Sequence, residues 1–396
     1  MDYIIFNFQR YLLMFLMVII GKNFFSYNHK YEVKYYRSLI LPIFIYSIIE
    51  GCRWMRGVDY AYNYDIARGK ALSGDFIYDA FAALLRFIGL PYWAFFILIS
   101  ALLIISLFEF IKPYKEAFIP CAILLYSFTM IQSENLMRQY AAISCMLLSY
   151  SCFFNKKTLS SITWIILAYF IHSSVLFILP FFFLFTMVTT TTLQKNGIKA
   201  FLKILPFIFL FLYVTTSSLK GFLSQLFEDI PLFDSFIAEK YLNEDYLLKA
   251  TDDSDINVFK HYSLIDNIRT IIREIAIIIS GYFLFNIKQE EHVTKRFLYI
   301  AYGLSCCGII YACSLPDLTM EVLGRLSLYF RVFERFMEGY IIFYFLTKQY
   351  VYNGTRNRKM YDLTYWGVLL LLILELVWII QPQNGSSGLG LKFIWS

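Results

Sequence analysis

Apolar stretches separated by short polar segments recur along the whole chain. They cover residues 3–20, 38–51, 90–111, 117–133, 135–154, 158–172, 174–190, 200–217, 263–286, 297–314, 326–347 and 362–381. Most are long enough to cross a hydrocarbon core of roughly 30 Å as a helix. Because lipid cannot satisfy backbone polar groups, such spans form helices with internal hydrogen bonds. The pattern predicts an all-α polytopic membrane protein of about twelve transmembrane helices, with residues 1–396 forming a single integral membrane domain.

Two segments depart from the simple pattern. Residues 76–89 alternate apolar and polar positions at helical spacing after Asp75, which is typical of an interfacial amphipathic helix. Residues 158–190 are too long for one ordinary span, and the sequence HSS at 172–174 offers a turn between two short ones. We therefore predict a helix lying in the membrane surface and a break near His172.

The basic residues indicate which ends of the spans face the cytoplasm. With the N-terminus outside, the predicted cytoplasmic loops carry more lysine and arginine than the longer outer loops, as the positive-inside rule requires. Treating residues 158–190 as one span would invert every later loop and lose this agreement. The prediction places 51–89 outside, as a loop followed by the interfacial helix, and 218–262 outside as a large loop.

Composition agrees with the membrane assignment and excludes several classes of function. Hydrophobic residues make up 59% of the 396 and charged residues 16%, whereas soluble proteins average about 25% charged. The net charge of +6 is dispersed between spans, which does not favour nucleic-acid binding. The seven cysteines include no CxxC and lie mostly in apolar runs, so we predict packing roles and no metal site.

Charged side chains inside predicted spans gather near one membrane face. Such residues are expensive in lipid and usually line a cavity or mark a functional site. The cluster comprises Glu134, Arg138, His172, Asp266, Arg269, Arg273, Glu321, Arg325, Arg331, Glu334 and Arg335. Structural alternatives exist: Arg331–Glu334 and Arg335–Glu338 could be ion pairs, Arg269 and Arg273 could pair with Asp266 and Glu274, and His172 could be a helix cap.

The outer loop after the second span adds a basic and aromatic stretch, RWMRGVDYAYNY, at residues 53–64. Arginine binds phosphate through two parallel hydrogen bonds and keeps its charge when partly desolvated. Carboxylates or histidine can accept a proton from an attacking hydroxyl. A lipid pyrophosphate donor with a sugar acceptor fits these groups. The sequence contains no phosphate-binding glycine-rich loop of the nucleotide type, and we predict no cofactor.

Four short motifs in this order resemble the EpsG-like branch of Wzy-type bacterial polysaccharide polymerases. The first is RWMRGVDYAYNY, and the second is NLMRQ at 135–139. The third is His172 near the end of a later span, and the fourth is GRLSLYF at 324–330. The likeness runs from about residue 37 to 347, whereas residues 218–262 have no counterpart in it.

The resemblance implies an enzyme of capsule, exopolysaccharide or O-antigen synthesis that extends glycans on undecaprenyl pyrophosphate. It would act without a metal at the periplasmic face of the bacterial inner membrane, possess a GT-C-like fold, and work with the flippase and chain-length regulator of its pathway. From these motifs and the charges near the outer face together, we predict catalytic roles for Asp59, His172, Arg138 and Glu134, with the general base open among Asp59, Glu134 and His172. For substrate binding we predict, from the motifs, Arg53, Arg56, Tyr60, Tyr64, Asn135, Gln139 and Arg325, and, from the charges in predicted spans, Arg269, Arg273 and Arg331.

Two other functions compete with the polymerase. A flippase or other transporter would need polar groups near the midplane and usually an internal repeat, and no repeat is evident in the sequence. An integral-membrane acyltransferase would need a catalytic His or Asp that reaches a cytoplasmic acyl donor. The cytoplasmic candidates His29 and His292 lie in basic loops without partner motifs.

Overall fold

A computed structural model describes residues 11–22, 32–54, 59–186, 302–305, 318–348 and 392–393. In chain order its helices and strands are α1 (Tyr11–Lys22), α2 (Glu32–Gly51), β1 (Arg53–Trp54), α3 (Tyr60–Arg68), α4 (Phe76–Phe87), α5 (Tyr92–Ile111), α6 (Phe118–Asn135), α7 (Met137–Phe154), α8 (Thr158–Ile171), α9 (Leu179–Thr186), α10 (Leu318–Lys348) and β2 (Lys392–Phe393). The described part is mostly helical, as predicted.

Aromatic contacts fix the relative directions of α2, α5 and α6. Near the start of α2, the Tyr35 hydroxyl donates to the Phe108 carbonyl at the end of α5, at 2.6 Å. The Tyr35 ring also packs against Phe118 at the start of α6, with ring centroids 6.3 Å apart. Farther along α2, Tyr46 packs against Tyr126 of α6 at 5.7 Å. Helix α5 is therefore antiparallel to α2, and α6 runs parallel to α2.

Serine hydrogen bonds continue the alternation through α7 and α8. Ser151 near the end of α7 donates to the Glu109 carbonyl near the end of α5, at 3.1 Å. Ser149 donates to the Ser161 carbonyl near the start of α8, at 3.0 Å. Helices α5 and α7 are thus parallel, and α8 returns in the opposite direction. This order of directions is the one predicted from the alternating spans.

Helix α10, far away in the sequence, packs into the same bundle. Its Tyr329 hydroxyl hydrogen-bonds to the Ser174 hydroxyl just after α8, at 2.9 Å. Its Tyr340 ring lies 5.2 Å from that of Tyr114, between α5 and α6. These contacts at opposite ends make α10 antiparallel to α6 and α8, which is the direction predicted for the span 326–347.

Two glycines allow helices to approach one another closely. A Cβ added to Gly339 would lie 2.7 Å from the Cα of Cys121, where α10 meets α6. A Cβ added to Gly51 would lie 2.7 Å from the Cα of Ile97, where α2 meets α5. Small residues at such crossings are a usual means of association between membrane helices, because they bring backbones into van der Waals contact.

The described residues contain one helical stretch, Tyr92–Thr129, that is long and apolar enough to cross a membrane, and shorter apolar helices at Tyr11–Lys22 and Thr158–Ile171. The long stretch comprises α5 and most of α6, joined through a 3₁₀ segment at Lys112–Ala117 in which Tyr114 leaves helical geometry. Four predicted spans lie wholly or largely outside the described residues: 200–217, 263–286, 297–314 and 362–381. The total of about twelve spans therefore stays a prediction.

The predicted outer segment 51–89 contains two helices, where the sequence pattern indicated one. Helix α4 occupies Phe76–Phe87, as predicted for the amphipathic segment. Helix α3, Tyr60–Arg68, lies in what we expected to be a loop, and it ends at Gly69 with φ 76°. A glycine in this left-handed conformation is a common helix terminator. The predicted large loop 218–262 lies outside the described residues.

Helix α4 has the two-sided character of an interfacial helix. Tyr78 and Leu85 are buried against the bundle, whereas Phe76, Leu84 and Phe87 are exposed. An exposed apolar face beside a buried one is the arrangement expected for a helix lying at the boundary between protein and lipid. This agreement concerns the helix, and its depth in a membrane stays a prediction.

The C-terminal residues reach the same end of the bundle as the segment after α2. Strand β2 pairs antiparallel with β1, so that Arg53 faces Phe393 and Trp54 faces Lys392. Lys392 and Phe393 and the residues just after α2 therefore lie at the same end of the bundle. This pairing requires an even number of membrane crossings between Trp54 and Lys392. The predicted topology has an even number of spans between these two residues.

Surface labelling would test which side of the membrane carries α3. Ala61 in α3 and Lys70 just after it are exposed, and Lys157 is exposed at the opposite end of the bundle. Ala61→Cys and Lys70→Cys should react with an impermeant maleimide in intact spheroplasts. Lys157→Cys should react only after permeabilisation, and the unsubstituted protein measures labelling of the native cysteines. The reverse pattern would refute the predicted orientation.

Candidate active site

Asp75 lies between two of the predicted site residues, which come from different helices. Arg138 Nη1 donates to Asp75 Oδ2 at 3.0 Å, and it also donates to the Ser73 carbonyl at 3.1 Å. His172 Nδ1 lies 3.9 Å from the same Asp75 oxygen. We call Asp75, Arg138 and His172 the Asp75 cluster. It brings together Arg138 and His172, 34 positions apart in the chain, at the end of the bundle where α7 begins and α8 ends.

Breaks in the helices place these side chains. Leu136, with φ −126° and ψ 50°, interrupts the chain between α6 and α7, so Arg138 lies in the first turn of α7. His172 follows α8 in extended conformation, with φ −157° and ψ 112°, while its N–H still bonds to the Ala168 carbonyl. The predicted turn near His172 is thus confirmed, and a 3₁₀ segment at Ser173–Phe177 follows it.

A compact turn before α4 presents the Asp75 carboxylate. Asp79 Oδ1 and Oδ2 accept the N–H groups of Ser73 and Gly74 at 2.8 and 3.1 Å. Ser73 Oγ accepts the N–H of Asp75 at 3.0 Å. Asp75 occupies the N-cap position of α4 but makes no side-chain cap hydrogen bond. Its carboxylate is instead used by the neighbouring helices.

Arg138 remains partly open to a ligand. Its side chain is 21% exposed, whereas that of Asp75 is 5% exposed. The guanidinium lies over the Tyr62 ring, with Cζ 5.4 Å from the centroid. Tyr62 is itself exposed, and its hydroxyl donates to the Leu72 carbonyl at 2.7 Å. A partly exposed guanidinium beside an aromatic face suits an anionic group attached to a sugar.

Beneath the cluster, a buried hydrogen-bonded chain links α4 to the start of α3. The Tyr78 hydroxyl donates to Asn63 Oδ1 at 2.8 Å, and Asn63 Nδ2 donates to the Asp59 carbonyl at 2.8 Å. Burial raises the pKa of Tyr78 well above its usual value, while the charges of Arg138 and Arg53 act in the opposite direction. Tyr78 therefore keeps its proton and remains a hydrogen-bond donor. The charges of three predicted site residues, Arg138, Arg53 and Asp59, act on it.

Arg53 lies deeper than predicted for a substrate contact. It is 2% exposed. Its Nη1 lies 3.3 Å from Glu50 Oε2, its Nη2 lies 3.4 Å from Met137 Sδ, and its Cζ lies 5.7 Å from the Phe96 centroid. Contact with a substrate would require this buried pair to open. In the present arrangement Arg53 joins the end of α2 to the start of α7.

The two predicted tyrosines differ in accessibility. Tyr60 is 1% exposed, and its ring stacks on Phe96 at 5.0 Å and on Tyr64 at 6.2 Å. Burial raises the pKa of Tyr60 above its usual value. Tyr64 is half-buried, and its hydroxyl accepts from Arg68 Nη1 at 2.8 Å. Tyr60 is thus buried inside the protein, whereas Tyr64 is partly accessible to solvent.

The other predicted residues lie on several elements. Gln139 is buried in α7, and Arg331 is half-buried in α10. The predicted ion pair Arg335–Glu338 is present, with Nη1 2.9 Å from Oε2. The backbones of Glu134 and Asn135 end α6, and that of Arg325 lies in α10, but their side chains are outside the described set. Arg56, Arg269 and Arg273 lie outside the described residues altogether.

Within the described residues, no group of three or more His, Cys, Asp and Glu side chains is placed to hold a metal ion. The metal-independent mechanism implied by the resemblance stays a prediction. At the Asp75 cluster itself, the two potential metal ligands are Asp75 and His172, and the Arg138 guanidinium lies against the Asp75 carboxylate. A fixed positive charge at this position disfavours a divalent cation.

Sequence reasoning missed three residues of this site: Asp75, Tyr62 and Tyr78. The sequence pattern indicates Asp75 only as the residue that precedes the amphipathic helix, a position where Asp is common. Nothing in the local sequence shows that its carboxylate faces Arg138 instead of its own helix. Tyr62 alternates with two tyrosines that fit the family pattern, so the motif could have pointed to it.

Comparison with known proteins identifies one family. The model of the EpsG family matches residues 36–379, which include every residue of the Asp75 cluster. No curated protein and no solved structure matches the chain. Because this family model covers most of the sequence, the chain belongs to the EpsG family, a family of membrane proteins of polysaccharide biosynthesis.

Proposed function

We propose that this protein is a polysaccharide polymerase. It transfers a growing glycan from undecaprenyl pyrophosphate to a lipid-linked repeat unit at the outer face of the bacterial inner membrane. The observation that carries the proposal is the meeting of Arg138 and His172 at Asp75. A phosphate-binding cation and a candidate base at one end of a helical bundle are the groups that this transfer needs.

In the proposed reaction, a hydroxyl of the acceptor sugar attacks the anomeric carbon of the donor. A bond forms between that oxygen and the anomeric carbon, while the bond from the carbon to the pyrophosphate oxygen breaks. Arg138 binds the departing pyrophosphate, whose negative charge grows in the transition state. His172 accepts the hydroxyl proton through its second ring nitrogen, Nε2, since Nδ1 faces Asp75.

The surroundings of the cluster suit a substrate that is both sugar and lipid. The exposed Tyr62 ring beside Arg138 offers a flat apolar face to a sugar. On the other side, Phe76 next to Asp75 packs against Phe170 near His172, with centroids 6.3 Å apart. Both phenylalanines are exposed, so a prenyl chain lying along them would bring its pyrophosphate towards Arg138.

The glycan profile of a deletion strain would test the proposal. We expect single repeat units to reach the cell surface while long chains disappear, and expression of the wild-type protein should restore the long chains. Loss of both single units and long chains from the outer face would favour a flippase. Intact long chains lacking an acyl group would favour an acyltransferase, and either result would refute the polymerase.

Three further assignments belong to this proposal. The active site faces the periplasm, the substrate is an undecaprenyl-pyrophosphate oligosaccharide, and the flippase and chain-length regulator of the pathway are partners in the membrane. The position of α3, α4 and the Asp75 cluster at one end of the bundle supports the first assignment, since this end carries the segment predicted to lie outside.

A further inference from the structure

We infer that Asp75 is a positioning residue that orients both the base and the phosphate-binding arginine. This inference rests on the proposed function and assigns a role within the same site. Asp75 Oδ2 lies 3.0 Å from Arg138 Nη1 and 3.9 Å from His172 Nδ1. One carboxylate oxygen therefore faces both groups that the reaction uses, and neither group is on the same helix as the other.

In the turn before α4, the Asp75 side chain does not act as the helix cap. Aspartate at an N-cap normally accepts an N–H from the first turn of its own helix. Here the Asp75 carboxylate makes no such bond. The Asp79 carboxylate binds the N–H groups of Ser73 and Gly74 instead, and Ser73 Oγ binds the N–H of Asp75. The turn is stabilised by its neighbours, which leaves the Asp75 carboxylate for Arg138 and His172.

The position of the carboxylate has a chemical consequence for His172. A negative charge facing Nδ1 favours the tautomer with its proton on Nδ1, and Nε2 is then unprotonated and able to act as a base. The distance of 3.9 Å is longer than a hydrogen bond, which joins such atoms at about 2.7–3.2 Å. In the present structure Arg138 binds the same Asp75 oxygen. When pyrophosphate draws Arg138 away, this oxygen can accept a hydrogen bond from His172 Nδ1.

Nitrogen NMR of the purified full-length protein tests the inference without relying on activity. The chain has four histidines, and nitrogen-15 labelling reports the tautomer of each, with His172→Gln identifying the His172 signals. At about pH 8, where ordinary histidines are neutral, we expect the wild-type His172 to be protonated on Nδ1. Asp75→Asn should shift it towards Nε2 protonation, and Asp75→Glu should give an intermediate result. Glu109→Gln, which changes a carboxylate at the opposite end of the bundle, should match the wild type.

Chain extension on synthetic lipid-linked repeats provides the second measurement. Asp75→Asn should slow extension by about 10²-fold, the loss typical of a misplaced catalytic group. In a His172→Gln background the same substitution should cost much less, because residues that act as a unit are not additive. Where Asp75→Asn does not fold, Asp75→Glu is used for both measurements.

The outcomes separate the two proposals. Unchanged His172 signals in the Asp75 variant would overturn the inference, whatever the chains look like. Full additivity of Asp75→Asn and His172→Gln would also overturn it. If Asp75→Asn shifts the His172 signals but the wild-type protein extends no chains, the proposed polymerase is refuted and the positioning role of Asp75 stays in place.

Discussion

Replacing His172 by glutamine is expected to reduce chain extension by about 10²–10⁴-fold, because a general base contributes that much to the rate. Glutamine keeps a hydrogen-bonding side chain at the end of α8, where the backbone N–H of this residue bonds to Ala168. The bundle should therefore keep its thermal stability in detergent. The measurement is chain length from synthetic lipid-linked repeats, with stability recorded on the same preparation.

Asp59→Asn is the comparison that decides between the candidate bases. Asp59 directly precedes α3, and its carbonyl accepts both the backbone N–H and the side-chain amide of Asn63, at 3.0 and 2.8 Å. The sequence alone predicts severe loss of activity for Asp59→Asn, since asparagine keeps the shape and loses the basic carboxylate. If His172 is the base, Asp59→Asn should retain more activity than His172→Gln. Normal extension by His172→Gln would remove His172 from the chemistry.

Arg138→Lys should be the second severe substitution. Lysine keeps the positive charge but has no planar fork, so it cannot bind a pyrophosphate through two parallel hydrogen bonds. Loss of a charge-assisted bidentate contact to the leaving group, at about 1.5–3 kcal/mol, corresponds to a roughly 10- to 100-fold slower extension. The protein level should remain near that of the wild type, measured by quantitative blotting of membranes.

Arg86→Lys is a matched control for this arginine. Arg86 Nη1 donates to the Ile66 and Ala67 carbonyls at 2.7 and 3.3 Å, and so binds the end of α3. Its replacement should affect stability more than the rate of extension. Equal losses of extension in both lysine variants would indicate that Arg138 supports the fold and does not bind pyrophosphate.

The helical bundle and the directions of its described helices could be predicted from the sequence. Apolar runs and the requirement for internal backbone hydrogen bonds restrict the possible architecture, and the HSS turn after α8 follows from length alone. Successive spans run in opposite directions, so the start of α7 and the end of α8 lie on the same side of the membrane. Arg138 and His172 could therefore be assigned to one end of the bundle from the sequence. Their common partner Asp75 could not, since an N-cap aspartate ordinarily binds its own helix.

Burial of individual side chains was the least predictable aspect of the site. Arg53 and Tyr60 occur in a motif that looks exposed, with a charge and an aromatic ring every few residues. Their burial depends on Glu50 at the end of α2 and Phe96 in α5. Such partners arise from packing between distant segments. Local composition therefore indicates which residues lie near the site but not which of them face a substrate.

For α10 as the sequence-predicted span 326–347, the Arg335–Glu338 ion pair would affect entry into the bilayer during synthesis. A charged residue at the centre of an inserting helix costs about 2.5–3.5 kcal/mol, and α10 carries several charges. Residues three apart share a helix face, so this pair, with its 2.9 Å contact, forms as soon as the segment becomes helical. The insertion machinery then meets two charges that already neutralise each other, before α10 packs against α6.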